Sequence, residues 1–98
     1  MKNTKELTLM NGNYSSDEAR EILFNLFSNK INFHQMKNFS SQERLGKESK
    51  TALKRIAQLK KSMLLASKIL DKAKKNNETL EILSEIKITL SKSKKNSV

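Results

Sequence analysis

The feature that most constrains this chain is a heptad seam in its second half, within a segment that contains neither glycine nor proline. Apolar residues there follow one another at spacings that alternate between four and three. This spacing is typical of a helix that packs lengthwise against another helix, as in a coiled coil. It predicts a helix over residues 49–76, ended by Asn76 and Asn77. The seam consists of Ala52, Ile56, Leu59, Met63, Ala66, Leu70 and Ala73.

Another helix is predicted over residues 16–38. Ser15 with Glu18 three positions later matches a capping box, and Asp17 and Glu18 suit the positive end of a helix. The apolar residues of this helix form two stripes on nearly opposite faces, and such a helix is normally covered on both sides. One stripe is Ala19, Ile22, Leu23, Leu26, Phe33 and Met36, and the other is Phe24, Phe27 and Ile31.

Between the helices, Phe39-Ser40-Ser41-Gln42-Glu43 repeats the pattern of Tyr14-Ser15-Ser16-Asp17-Glu18. Ser40 and Glu43 therefore resemble a second capping box, but Gly46 interrupts the helical pattern directly after Leu45. We interpret residues 39–48 as a connector that contains about one helical turn.

Both ends of the chain predict strands. Leu7 and Leu9 alternate with polar residues over residues 5–10, and Asn11-Gly12-Asn13 follows as a turn signal. Residues 80–90 carry apolar side chains at most even positions, broken only by Leu83 and Ser84, which is typical of a half-buried strand.

The order of elements predicts an α+β fold, mostly α, of the form β-α-α-β. Helices of similar length favour a long antiparallel helical hairpin, which brings the terminal segments together as a short antiparallel strand pair. We expect one domain over residues 5–90, with residues 1–4 and the basic tail 91–98 disordered.

A two-stranded ribbon is marginally stable alone. Together with the two-striped first helix, it favours a small non-enzymatic interaction protein that self-associates or docks a helix or strand of another protein. Self-association is expected as a homodimer, which either joins the ribbons into a four-stranded sheet or pairs the hairpins into a bundle. The candidate self-association residues are Phe24, Phe27, Ile31, Leu53, Leu64, Leu65 and Ile69.

An alternative function is binding to nucleic acid. The chain has a net charge of +10, and residues 47–75 carry ten cations against Glu48 and Asp71. A row of lysines opposite the seam could contact phosphates without reading sequence. A solvated outer face, which every amphipathic helix needs, is the alternative explanation of the row, but it does not explain the near-absence of acids. No aromatic platform for single strands accompanies the row. The candidate polyanion contacts are Lys50, Lys54, Lys61, Lys68, Lys72 and Lys75.

No catalytic, cofactor-binding or metal-binding residues are predicted, and the chain is not expected to be an enzyme, although a site shared between subunits stays open. His34 is the sole histidine and there is no cysteine, so we interpret His34 as a packing residue. Helix capping accounts for Ser40, Ser41 and Glu43 better than a nucleophilic set with His34 does. The apolar runs are too short to cross a bilayer and no secretory signal is present, so we expect a cytoplasmic protein.

Overall fold

The computed structural model describes residues 3–92 and confirms the predicted α+β fold. Strand β1 (Thr4–Tyr14) leads into helix α1 (Ser16–Leu45), which is followed by helix α2 (Lys50–Lys75) and strand β2 (Leu80–Thr89). The two strands pair antiparallel as a two-stranded sheet. The predictions of disorder for residues 1, 2 and 93–98 lie outside the described residues, whereas Thr4 belongs to β1.

The helices form the predicted antiparallel hairpin. At one end, Arg20 and Asp71 form an ion pair, and Lys74 Nζ lies 3.2 Å from Asp17 Oδ1. At the other end, the backbone N–H of Ser49 donates to Asn38 Oδ1 at 2.7 Å. The start of α1 therefore lies beside the end of α2. The ion pairs are too exposed to contribute more than about 1 kcal/mol each, so apolar packing along the seam must supply most of the stability.

Helix α1 is longer than predicted, and the connector assigned to residues 39–48 is wrong over most of its length. The helix begins with the predicted capping box of Ser15 and Glu18. It then runs through Ser40 and Glu43 to Leu45, so the second capping box does not start a helix. It ends at Gly46, whose φ of 70° lies in the left-handed region that favours glycine.

The sequence near the end of α1 resembles a loop because its polar side chains form hydrogen bonds with backbone groups of the loop that follows. Asn38 accepts from the Ser49 N–H, and Ser41 Oγ donates to the Lys47 carbonyl at 2.9 Å. Ser49 in turn caps α2 by accepting from the Ala52 N–H at 3.2 Å. These bonds satisfy backbone groups at the tight turn.

The heptad seam of α2 lies against α1, as its spacing predicts. Ala52, Leu70 and Ala73 are buried, and the four other seam residues are half-buried. On α1 the buried residues are Ala19, Ile31 and His34. The contact stripe of α1 therefore lies between the two predicted apolar stripes and takes residues from both.

Strand β1 continues four residues beyond its predicted end. Asn11, Gly12 and Asn13 pair with β2 opposite Leu83, Ile82 and Glu81, so the turn predicted there is wrong. A β-bulge between Thr8 and Met10 shifts the register by one residue. The shift matters because it moves every later side chain of β1 to the other face of the ribbon.

The bulge gives the ribbon one apolar face. Before it, Leu7 lies opposite Ile86, and after it, Gly12 and Tyr14 lie opposite Ile82 and Leu80. Directly opposed residues of antiparallel strands share a face, and alternate residues of β2 share one too. The apolar face therefore contains Leu7, Met10, Tyr14, Leu80, Ile82, Ile86 and Ile88.

The molecule is extended and thin. Its Cα atoms span 50 × 39 × 14 Å, with a radius of gyration of 16.9 Å, against about 13 Å for a compact domain of this length. The accessible surface is 8223 Å² for 11.3 kDa, whereas a compact monomer of that mass exposes about 5,700 Å². The buried apolar residues among those described are Met10, Ala19, Ile31, Ala52, Leu70 and Ala73. Half of these are alanines, so the described chain buries little core by itself.

Candidate interaction surfaces

The hairpin has two broad sides, and the ion pairs mark one of them. Arg20 reaches across from α1 to Asp71 and Ser67 of α2, and Lys74 reaches back to Asp17. We call this the ion-pair side. Successive side chains of a helix are rotated by ~100° around its axis. Residues that point about 180° away from Asp17 on α1, or from Asp71 on α2, therefore lie on the opposite side. We call that the open side, and its apolar residues are Ile22, Leu26, Phe33, Leu65 and Ile69.

The open side carries apolar residues of both helices. Counting along both helices from the Arg20–Asp71 pair places Ile22 level with Ile69 and Leu26 level with Leu65. Leu65 and Ile69 are 54% and 60% exposed. Further along α1, Phe33 is 48% exposed and is flanked by the ammonium groups of Lys30 and Lys37, at 5.3 and 5.5 Å from the ring centroid. An apolar surface rimmed by charges is typical of a protein interaction site.

The seven candidate self-association residues do not form one surface. Leu65 and Ile69 lie on the open side, whereas Leu53, Leu64 and Phe24 point within ~20° of Asp71 or Asp17 and lie on the ion-pair side. There the Arg20 guanidinium lies over the Phe24 ring, 5.3 Å from its centroid.

The remaining two candidates belong to the hairpin itself. Ile31 is buried at 8% exposure and Phe27 is half-buried. Both lie about midway along α1, far from the ribbon, so α2 is the described element that covers them. We therefore remove Ile31 and Phe27 from the open surface that a second molecule could reach.

A further apolar surface lies at the outer half of the ribbon, away from the helices. There Leu7, Ile86 and Ile88 share one face and are 52%, 42% and 49% exposed. Met10, nearer the helices on the same face, is 7% exposed. The apolar face of the ribbon is therefore covered at its inner end and open at its outer end.

Sequence reasoning did not include Phe33, Leu7, Ile86 or Ile88 among the interaction candidates. The sequence places Phe33 in a stripe that is predicted to be covered, but in the structure its side chain is 48% exposed. For the ribbon, a signal was present: apolar residues occupy odd positions at Leu7 and Leu9 and even positions from Met10 onward. Such a change of phase within one strand is the mark of a bulge that keeps apolar side chains together.

The lysine row is where the sequence places it. Its six members are all exposed on α2, and none of them forms an ion pair among residues 3–92. The acid of this helix, Asp71, is already paired with Arg20. The row therefore presents positive charge that no neighbouring carboxylate neutralises, over roughly 37 Å at 1.5 Å per residue.

His34 lies on the contact stripe of α1 and is buried, at 1% exposure. Its ring packs edge-on against Phe33 with centroids 5.2 Å apart, and neither ring nitrogen has a hydrogen-bond partner among the described residues. Burial, followed by the charges of Lys30, Arg55 and Lys37, lowers the pKa of His34 from 6.5. A neutral packing histidine is the interpretation that these surroundings support.

The serines near the hairpin tip have partners other than His34. Ser41 Oγ donates to the Lys47 carbonyl, and Arg44 donates to Ser40 Oγ at 3.4 Å. An open cavity of about 310 Å³ lies here, lined by Lys37, Ser40, Ser41, Arg44, Leu45 and Ser49. The described structure therefore does not assemble His34 and Ser41 into a nucleophile–base pair.

Comparison with protein-family models, curated proteins and solved structures finds no match to this chain. Over residues 3–92, no helix is long and apolar enough to cross a membrane. Within the same range, no three metal-ligating side chains lie together as a group that could hold an ion.

Proposed function

We propose that this chain is a small, non-enzymatic interaction protein that works as a homo-oligomer, with a dimer favoured. The observation that carries the proposal is the open side of the hairpin, where exposed apolar side chains of α1 and α2 lie beside the half-buried Ile22 and Leu26. Isolated exposed leucines are ordinary, but a contiguous apolar surface shared by two helices is typical of an interface.

The exposed area supports a second copy as the partner. The chain exposes 8223 Å², about 2,500 Å² more than a compact monomer of its mass would. A stable protein interface buries about 1,200–2,000 Å² in total. Pairing of two open sides therefore lies within the excess surface that each copy carries.

The charges at the rim of the open side are compatible with self-association. Lys30 and Lys37 lie at the rim of the open side, beside Phe33. Rim charges remain hydrated when an interface forms, so they need not be buried against each other. The apolar centre formed by Ile22, Leu26, Leu65 and Ile69 then supplies the buried part of the contact.

Adjacent leucines of α2 offer a matched test. Leu65 on the open side and Leu64 on the ion-pair side are 54% and 58% exposed, so the two are nearly equivalent in the monomer. Leu65→Glu should raise the dimer dissociation constant by at least about tenfold, because it buries a charge. Leu64→Glu should leave that constant nearly unchanged. Sedimentation equilibrium of the wild type and both variants measures this directly, and a wild-type mass of 11.3 kDa at tens of micromolar would refute the proposal.

A second candidate function is contact with a polyanion such as duplex nucleic acid, and the unneutralised lysine row favours it. Lys68→Glu reverses a charge within the row, while Lys60→Glu reverses one on the same helix outside it. Both lysines are exposed. If the row follows phosphates, Lys68→Glu weakens binding and reduces the salt dependence by about one counterion, and Lys60→Glu has a smaller effect. Equal effects, or no binding of duplex at low salt, would exclude this function.

A further inference from the structure

The free edge of β2 carries a row of unpaired backbone groups. Just past its end, the Leu90 N–H donates to the Asn3 carbonyl of the β1 segment at 3.1 Å. Backbone groups of alternate residues in a regular strand point the same way, so even-numbered residues of β2 bond to β1. The odd-numbered residues Glu81, Leu83, Glu85, Lys87 and Thr89 then direct their N–H and C=O groups away from the ribbon. Within residues 3–92 no third strand meets them.

The two edges of the ribbon are not equivalent. β1 is interrupted by the bulge between Thr8 and Met10, and a bulge twists an edge away from further pairing. β2 shows no such irregularity over Leu80–Thr89 and contains no proline. An unbroken strand of this length is the edge at which another strand can add.

We propose that two copies of the chain join through their β2 edges as antiparallel strands, with Ser84 on the two-fold axis, to form a four-stranded sheet. This inference rests on the proposed self-association and adds a second contact between copies, at the β2 edge, to the contact through the open side of the hairpin. In this arrangement Leu80 lies opposite Ile88 of the second copy and Ile82 lies opposite Ile86. The apolar faces of the two ribbons become one continuous face, and three or more strands with an apolar face are stable where two are marginal.

Charge complementarity selects this register. On the polar face, Glu81 lies opposite Lys87 of the second copy, and the two-fold axis repeats the pair. If the two-fold axis passed through Glu85, the Glu85 carboxylates of the two copies would lie directly opposite each other. If it passed through Leu83, Glu81 of one copy would lie opposite Glu85 of the other. Like charges directly opposed across strands are destabilising. Moving the axis to Ile86 would pair Glu85 with Lys87, but it leaves only residues 83–89 of β2 in the ladder instead of 80–88.

Hydrogen-bond geometry makes Ser84 a suitable site for a cross-link. Because Ser84 directs its backbone groups toward β1, the two Ser84 residues would face each other as a non-hydrogen-bonded pair. Cα atoms of such a pair lie about 4.5 Å apart, which is within the range that a disulfide spans. The chain contains no cysteine, so a single Ser84→Cys substitution introduces the sole thiol.

The test is oxidation of Ser84→Cys, with Thr89→Cys as the control on the same strand. Both positions lie in β2, but the two Thr89 residues would be ten register positions apart, or about 33 Å. Ser84→Cys should form a disulfide-linked dimer at least about tenfold faster than Thr89→Cys, because only the Ser84 positions bring the two thiols within bonding distance. Equal rates would overturn the register. Faster linkage of Ile86→Cys than of Ser84→Cys would overturn it as well.

Charge reversal provides a readout that does not depend on a thiol. Glu81→Lys should weaken the dimer, and Glu81→Lys combined with Lys87→Glu should restore it, because the pair is kept with its signs exchanged. Failure of the double variant to recover would contradict the Glu81–Lys87 contact. The mass of the wild type separates the two proposals. A dimer with slow Ser84→Cys linkage refutes only this interface, whereas a monomer refutes self-association itself.

Discussion

His34 is the buried residue whose surroundings suit it least. Neither ring nitrogen has a partner among residues 3–92, and burial together with nearby cations lowers its pKa from 6.5. The unfolded chain therefore takes up a proton at a pH where the folded chain does not. It follows that the free energy of unfolding is unaffected above about pH 6.5 and falls as the pH drops below it toward the lowered folded-state pKa.

We expect His34→Leu to remove this pH dependence. The substitution also removes two buried, unsatisfied polar atoms, so the free energy of unfolding at neutral pH should rise by about 1–3 kcal/mol. Urea unfolding at about pH 7.5 and about pH 5.5, at one protein concentration, measures both effects. His34 is the sole histidine, so no other side chain has an ordinary pKa in that interval. An equal loss of stability in wild type and variant would contradict the assignment.

The two glycines differ in what their backbone requires. Gly46 has a φ of +70°, and an added Cβ there would meet nothing within 4 Å, so the cost of Gly46→Ala is purely conformational. We expect a loss of about 1–2 kcal/mol. Gly12 lies within β1, and its added Cβ would make an ordinary 3.6 Å contact with Tyr14. Gly12→Ala should be nearly neutral in the same unfolding assay, and an equal loss in both variants would argue against the left-handed C-cap.

The repeated serine motif shows how alike local patterns acquire different roles within an element. Ser15 caps α1, with its Oγ accepting from the Glu18 N–H at 3.1 Å, whereas Ser40 lies inside the same helix. Ser15→Ala should lower the free energy of unfolding by about 1 kcal/mol. Ser40→Ala should be neutral or slightly stabilising, because alanine is the better helix former and the Arg44 bond it loses is long. Thermal unfolding of both variants measures the two changes. A larger loss of stability in Ser40→Ala than in Ser15→Ala would support the helix start that the sequence suggests at Ser40.

Much of α2 could be predicted from sequence, and much of α1 could not, for a physical reason. Every seam position of α2 is apolar, so the apolar spacing predicts which face of α2 contacts α1. In the second half of α1 the residues facing the seam or the turn include His34, Asn38 and Ser41, while Phe33 and Met36 are 48% and 68% exposed. In this half of α1, the face that the apolar spacing defines is therefore not the face that contacts α2. Polar side chains that bond to the turn backbone imitate a loop in the sequence.

The interaction surfaces were hard to predict for a related reason. Which residues lie on which side of a hairpin depends on how each helix is rotated about its own axis against the other, and here the contacts of Arg20 and Asp17 with α2 reveal it. Leu64 and Leu65 are neighbours in sequence but lie on different sides of the hairpin. Exposure of apolar surface was predictable from composition and period, whereas its division into two sides required coordinates.

The shape of the whole molecule links these features. A hairpin and a ribbon only 14 Å thick in Cα extent leave apolar residues open on both elements. The free energy from apolar burial that one copy can gain is therefore small relative to the conformational entropy it loses on folding. Association of copies adds burial on the open side of the hairpin and on the ribbon, so folding and assembly should be coupled in this protein.

Coupled folding and assembly predicts that stability depends on protein concentration. For a dimer that unfolds to two chains, each tenfold increase in concentration adds about 1.4 kcal/mol. The melting temperature should therefore rise by about 3–5 °C per tenfold. Circular dichroism melts from a few micromolar to a few hundred micromolar measure the shift. The disulfide-linked Ser84→Cys dimer is the control, because its unfolding is unimolecular and its melting temperature should not move. A wild-type melting temperature that is constant over the same range would mean that the monomer folds stably without association.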